Sequence, residues 1–429
     1  FRDNLASQYG GAARIESGFG SFTGVTFEGN TGTFGGALHI ATADEVTFSE
    51  AWFLGNEASH GGAIRWRPDS LDGRLVLADS WFQDNEVPGT GSSIYARSGG
   101  ALTVVDTTFW NNRADTGGAV MAWDVAALEV RRNHFCGNQA RTASSSDGGA
   151  LLSYQSGGAG VHVVANNRFV EGRADAWGGA VNLLEGAPAL VVHNDFVGNR
   201  GATDQGGHLA VRDTEALVVN NLFAWAVRGG GVAQAGSATP DFRHNAWFQN
   251  NPEDGVGELA GWVPGGGAVT ADPDLADYTL DGSCGDDVLW RRPGSALIDA
   301  GDTTWAEDTA DPDGSAPDIG AYGGPDALPD AWADDDGDGS PAWQDCDPQD
   351  GAVHPGAAEI AHDGVDQDCD GEDLRDADGD GADGGGGPDC DDADPSVHPG
   401  PRRSSTTASI RTATATTTTA TATACPTPR

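Results

Sequence analysis

Lysine is absent from this chain of 429 residues, so all 23 basic side chains are arginine, and they stand against 65 acids. The formal charge of −42 excludes nucleic acid and anionic membrane as partners, because both demand a basic surface. It favours cations instead. Long apolar runs are lacking too: none approaches the roughly 20 residues that a membrane-spanning helix needs. The one methionine is not at position 1, and no signal-peptide pattern opens the chain. No window sustains a helical period. What abounds is turn chemistry, with 64 glycines and 21 prolines.

The charge is unevenly placed. Residues 327–400 hold 21 Asp, 2 Glu and one Arg, a net of −22, whereas the tail from 401 has four Arg and no acid, which leaves −24 for residues 1–326. These breaks define three segments: 1–326, 327–400 and 401–429.

Two landmarks recur through residues 1–326. One is Gly-Gly, a small residue and an aliphatic, as in "GGALHI" from 35, "GGAIRW" from 61, "GGAVMA" from 117 and "GGAVNL" from 178. The other is Phe-x-x-Asn: Phe27/Asn30, Phe53/Asn56, Phe82/Asn85, Phe109/Asn112, Phe135/Asn138, Phe196/Asn199 and Phe248/Asn251, with Phe169 and Phe223 filling the slot without Asn. Successive Phe positions lie 25 to 34 residues apart. Alternating runs such as "LTVVDTTF" between the landmarks read as strands. A unit of this size cannot bury a face alone and must stack. The expected fold is all-β: a parallel β-helix of about nine to ten rungs, about 45 Å long at about 4.8 Å per rung. Two residues before Phe the slot is polar, at Ser80, Thr107, Asn133, Asn167, Asn194 and Asn221. Stacked amides there are expected to form an interior ladder. Phe1, Asn4 and the "GGA" at 10–12 fit the same pattern, so the rod is expected to be cut at its N-terminal end.

The paired landmarks resemble the repeat of polymorphic-outer-membrane-type and related secreted right-handed parallel β-helix proteins. Residues 271–324, "ADPDLADYTL…RRPGSALIDAGD…DPDGSAPDIGAYGG", resemble the terminal signature of bacterial extracellular β-helix domains. The resemblance implies a right-handed coil and export, to the medium or the outer-membrane surface, with the signal peptide upstream of this fragment. It leaves function open, since the fold serves adhesins and carbohydrate-active enzymes alike. The local polar cluster best placed for catalysis is His193, Asp195, Asp204 and His208, with Arg212 and Asp213 near in sequence. The paired-Asp and Arg-x-Lys elements of galacturonan hydrolases are missing. Corner and surface roles are the expectation for these residues; Asp195, Asp204 and His208 are the only catalytic candidates.

Residues 327–400 are expected to form a loop-rich calcium-binding module. Three segments fit Asp-x-Asp-x-Asp-Gly: Asp334/Asp336/Asp338, Asp366/Asp368/Asp370 and Asp376/Asp378/Asp380, each followed by Gly. Alternating carboxylates wrap oxygen donors around one hard cation, and the Gly permits the turn. Prolines 341, 348, 355 and 395 forbid the flanking helices of an EF-hand. "DCD" recurs at 345 and 389, and "VHPG" at 353 and 397. This pattern resembles the MopE-type metal-binding repeat, DxDGDG, DCDD, hPGA-E and DGxDQDCDG in order. The resemblance adds Asp345, Asp347, Asp350 and Asp363 to the candidate ligands, with Asp389, Asp391 and Asp394 in the second repeat. In that context Cys346 and Cys369 are expected to pair as a disulfide, the alternative being a thiolate site with His354. His354 and His398 precede Pro-Gly turns and are expected to be structural. Cys136 and Cys284 are core thiols or a distant pair, and Cys390 has no visible partner.

The tail "IRTATATTTTATATA" is what the Asp, Gly and Cys codons of a GC-rich gene give when read one nucleotide late. Residues 401–429 are thus expected to be a disordered, frameshifted metal repeat, against the alternative of an O-glycosylated stalk. The functional expectation is an exported, non-catalytic surface or secreted protein: an adhesive rod for a glycan or protein partner, stiffened by Ca²⁺. The alternative is a polysaccharide lyase or glycoside hydrolase with its groove on the rod.

Overall fold

A computed structural model describes residues 1–327 except 17, 42–43, 69–70, 142–146, 155–159, 282–283, 285–286, 293, 305–314 and 326, together with residues 340, 346–347, 350–354, 356–369 and 373–377. The chain divides into two compact units, Phe1–Pro329 and Asp330–Arg429.

In the first unit, local alternation makes the strands and the repeat stacks them. Strand Ala101–Val105 turns Leu102 and Val104 inward, while its three other residues lie half-buried on the outer side. Its neighbours in register, Leu75 and Leu77 on one side and Leu128 and Val130 on the other, do the same. Repetition yields parallel sheets of ten, nine, nine and six strands. The first runs from Ala13–Ile15 to Gly255–Gly257, the second from Gly20–Thr23 to Thr239–Arg243, and the third from Thr26–Glu28 to Ala246–Phe248. The six-stranded sheet runs from Thr31–Phe34 to Arg173–Ala174. No helix occurs among the described residues. This unit is a parallel β-helix.

The Gly35-Gly36 corner needs both glycines, for different reasons. Gly35 has φ of 75°, a conformation that a side chain disfavours. Gly36 has no room: a Cβ there would sit 2.0 Å from the carbonyl oxygen of Gly62 in the next rung.

The core is organised in columns. Phe1, Phe27, Phe53, Phe82, Phe109, Phe135, Phe169, Phe196 and Phe223 stack with centroids 4.5–5.0 Å apart, and Trp247 ends the series 4.6 Å beyond. Burying each ring from Phe27 to Phe223 contributes about 1.5–3 kcal/mol, and each stacked pair about 0.5–1.5 kcal/mol more. Here the structure corrects the landmark list. Trp247 and Asn250, not Phe248 and Asn251, hold the final slot, because Phe223 pairs with Trp247 in register. Phe248 is displaced outward and meets Trp225 edge-on.

The expected polar ladder is present. Asn133, Asn167, Asn194, Asn221 and Asn245 pass an amide hydrogen bond of 2.9–3.0 Å from rung to rung, and Thr107 joins it by donating its backbone N–H to Asn133. A second ladder runs through the Asn of Phe-x-x-Asn. Asn4, Asn30, Asn56, Asn85, Asn112 and Asn138 are linked at 2.8–3.0 Å. Each interior Nδ2 also donates to a backbone carbonyl, as Asn112 does to Phe82 at 2.8 Å. Buried amides so satisfied avoid the penalty of an unpaired polar group in the core.

The described residues of 271–324 return along the outside of the coil. Leu275, Leu289, Leu297, Ile319 and Tyr322 pack on Val170, Val197, Leu222 and Ala224 of the third sheet. A disulfide from Cys136 to Cys284 fixes this return. Corner side chains secure the rest. Asn166 donates to the carbonyl of Gly323 at 2.8 Å, and Asn220 accepts from the backbone N–H of Asp302 at 2.8 Å. His193 lies 3.1 Å from the carbonyl of Asp318.

Candidate metal centre

The described part of the second unit is a small loop closed by a disulfide between Cys346 and Cys369, 23 residues apart. Closing a loop of that size stabilises the fold by about 3 kcal/mol. It also leaves neither sulfur as a thiolate. Gln367 organises the interior: it is 5% exposed, accepts from the backbone N–H of Ile360 at 2.9 Å and donates to Asp363 at 2.8 Å. Its carbonyl accepts from the backbone N–H of His354 at 2.8 Å.

This scaffold draws three acids together. One carboxylate oxygen from each of Glu359, Asp366 and Asp368 lies within 4.8 Å of the others, and all three residues are half-buried. Glu359 is preset by the backbone, accepting from the N–H of Asp368 at 2.9 Å and of Leu374 at 3.0 Å. Three carboxylates at this separation repel one another unless a cation sits between them. The donors are all hard oxygens, the set that fits Ca²⁺ or Mg²⁺.

Asp366 and Asp368 were expected in such a site; Glu359 was not. Its signal was the Glu that follows the Pro-Gly turn in the repeat pattern. Other expected ligands among the described residues are not part of that group. Asp363 is occupied by Gln367 and by the backbone N–H of Val365, and Asp350 caps the turn to Ala352. Asp347 and Asp376 lie outside the three-carboxylate group, as does His354, which was expected to be structural. Asp334, Asp336, Asp338, Asp345, Asp370, Asp378, Asp380, Asp389, Asp391 and Asp394 lie outside the described residues, as do Cys390, His398 and the tail.

The catalytic candidates do not converge on a groove. Asp195 is fully buried and paired with Arg291, whose Nη1 donates to it at 2.8 Å; the backbone N–H of Ala321 adds a bond at 3.2 Å. His208 is fully buried and plugs a gap in the second ladder, where Ala226 replaces Asn. Its Nδ1 accepts from Asn199 at 3.0 Å and its Nε2 donates to Asn250 at 3.1 Å. Burial holds its pKa down at about 3, so it stays neutral. Asp204 is exposed in a turn. Arg212 pairs with Asp147 at 3.2 Å, and Asp213 accepts from the backbone N–H of Ser237 at 2.8 Å.

Comparison with known proteins bears on both units. The family model Cu-binding_MopE, described as "Putative metal-binding motif", matches residues 345–373 and 389–401. The chain is similar to "Probable outer membrane protein PmpG" of Chlamydia muridarum (strain MoPn / Nigg), 26% identical over 298 residues. That alignment takes in 54% of this chain and 28% of the relative, so the chain spans well under a third of that protein. No solved structure matches. Fold and comparisons together define a repeat protein with a parallel β-helix followed by a metal-binding module. In particular, its coil carries polymorphic-outer-membrane-type GGA/FxxN repeats, and its C-terminal part MopE-type repeats.

Proposed function

We propose that this is an exported, non-catalytic protein of the bacterial surface or its surroundings, an adhesive rod for a glycan or protein partner. The observation that carries the reading is the fate of the buried polar side chains. Asp195 ties the returning segment to the coil, and His208 completes an interior ladder; both serve the scaffold. The name of the relative, an outer membrane protein, supports the location. The geometry leaves a long regular flank, the surface that solenoids use for binding.

The acidic module is the stiffener in this reading. Ca²⁺ is held by Glu359, Asp366 and Asp368 together with Asp residues of the flanking repeats. The family's name points to copper, but thiolate and imidazole, the donors copper favours, are missing from the three-carboxylate group. Without cation the −22 of residues 327–400 repels itself.

Surface binding of the labelled full chain to immobilised glycans and proteins tests the function. Binding in millimolar Ca²⁺ that is lost in chelator is the expected result. Release of unsaturated or reducing ends from polyuronides by the wild-type chain would overturn the non-catalytic reading.

A further inference from the structure

Acids outnumber arginines 65 to 23 in this protein, yet several arginines gather on one flank. An open cleft of about 680 Å³ lies on the flank of the coil, with four arginines, Arg113, Arg141, Arg173 and Arg200, against one acid, Glu171, in its lining. Leu280 and Cys284 of the returning segment form its far wall. The arginines follow from register: Arg113, Gln139, Arg173, Arg200 and Arg228 occupy one column on successive rungs. Stacking places them about 4.8 Å apart. Like charges at that spacing destabilise the free protein, so the column calls for a counter-charge.

Part of that counter-charge is internal. Arg173 pairs with Asp175 at 2.7 Å, and the Nε of Arg228 donates to the carbonyl of Gly201 at 3.0 Å. Among the described residues Arg113, Arg141 and Arg200 have no ion-pair partner, and the Nε of Arg200 is buried without any hydrogen-bond partner. Beside them stands an aromatic surface. Trp110 lines the cleft and stacks on Trp81 at 6.2 Å, and Trp52, the register partner of Trp81, is 42% exposed.

We propose that this cleft binds an anionic oligosaccharide, its acidic groups on the arginine column and a sugar face on Trp110. This rests on the adhesive reading above and names the ligand class. Guanidinium forks recognise carboxylates and sulfates through paired N–H bonds, and an indole offers a flat apolar face with which ring C–H groups make contact. A repeating polymer suits a repeating column, one acidic group per rung or two.

The test is isothermal titration of the full chain, in calcium buffer, with three hexasaccharides: galacturonic acid oligomer, its methyl ester, and a sulfated heparin fragment. At least one acidic hexamer binds ten-fold or more tighter than the ester, and its affinity falls with ionic strength while that of the ester does not. Which acid binds separates uronate from sulfate recognition. The R113Q/R200Q double variant weakens that binding ten-fold or more, with the unfolding temperature unchanged or raised, as relief of the like-charge repulsion requires. R243Q, whose arginine pairs with Asp241 outside the cleft, retains it. Equal affinity for acid and ester, no binding of either acid, or full affinity in the double variant overturns the proposal. A chain that adheres to another glycan or to a protein would keep the adhesive reading and lose this one.

Discussion

Asp195 and Arg291, 96 residues apart in sequence, form a two-bonded ion pair with side chains 0% and 3% exposed. Asp195 comes from the Phe sheet and Arg291 from the segment that returns over it. Arg291 also donates to the carbonyls of Leu289 and Ile319, at 2.7 and 2.9 Å. The pair therefore fastens the return at its middle. Breaking such a pair from one side costs about 3–5 kcal/mol, because a buried charge is left alone. D195N and R291M are each expected to lower stability by that amount in urea unfolding. The D195L/R291M double variant is expected to recover much of the loss. A neutral D195N would show that the return is held by the disulfide and apolar contacts alone.

The second ladder makes its own demand. Asn112 accepts from Asn85 and donates to Asn138 and Phe82. Replacing it by Ala strands a buried amide on one side and a carbonyl on the other, each costing about 1–3 kcal/mol. N112A is expected to destabilise the coil by about 3 kcal/mol or more, whereas R113A on its surface changes stability little. Denaturant unfolding of the two variants, side by side, measures the difference.

Acid is expected to weaken the coil through its buried histidines. Burial lowers the pKa of His208 from 6.5 to about 3, and those of His162 and His39 to about 4; near His39 the charge of Arg65 adds to burial. Below pH 6.5 the unfolded chain takes up protons that the folded chain refuses. Stability contributed by these groups is therefore complete above about 6.5 and falls as pH drops toward 4. H208Q is expected to reduce the slope of unfolding temperature against pH in that window. An unchanged slope would remove His208 from the explanation.

Much of the coil was legible in the sequence, since a column of identical side chains writes itself as a period. Phe, Gly-Gly and the first polar ladder all followed from it. The last rung was misread because two aromatic residues, Trp247 and Phe248, compete for one slot, and only register decides between them. The second ladder went unnoticed although its Asn was half of the landmark. His208 hid better still: it reaches from a Gly-Gly corner into a gap that Ala226 leaves, a relation between residues far apart in rung position. The return of the described part of 271–324 onto the flank, and with it the pairing of Cys136 with Cys284, is a long-range contact that no period encodes. In the acidic module the alternation of Asp pointed to metal, but which acids converge depends on Gln367 and the backbone donors around Glu359.

Reduction bears on that module separately. The Cys346–Cys369 link closes the loop that aligns Glu359 with Asp366 and Asp368. C346S/C369S is expected to weaken Ca²⁺ binding by the full chain several-fold while the unfolding of the coil stays unchanged. Unaltered affinity would mean that the acids find each other without the link.

The most direct test is calcium titration of the full chain, wild type against E359Q, with magnesium and copper(II) as competitors. Saturable Ca²⁺ uptake that E359Q weakens ten-fold or more, and that copper does not displace, is the predicted result. Identical uptake by both proteins, or none by either, would contradict a cation centre built on Glu359, Asp366 and Asp368.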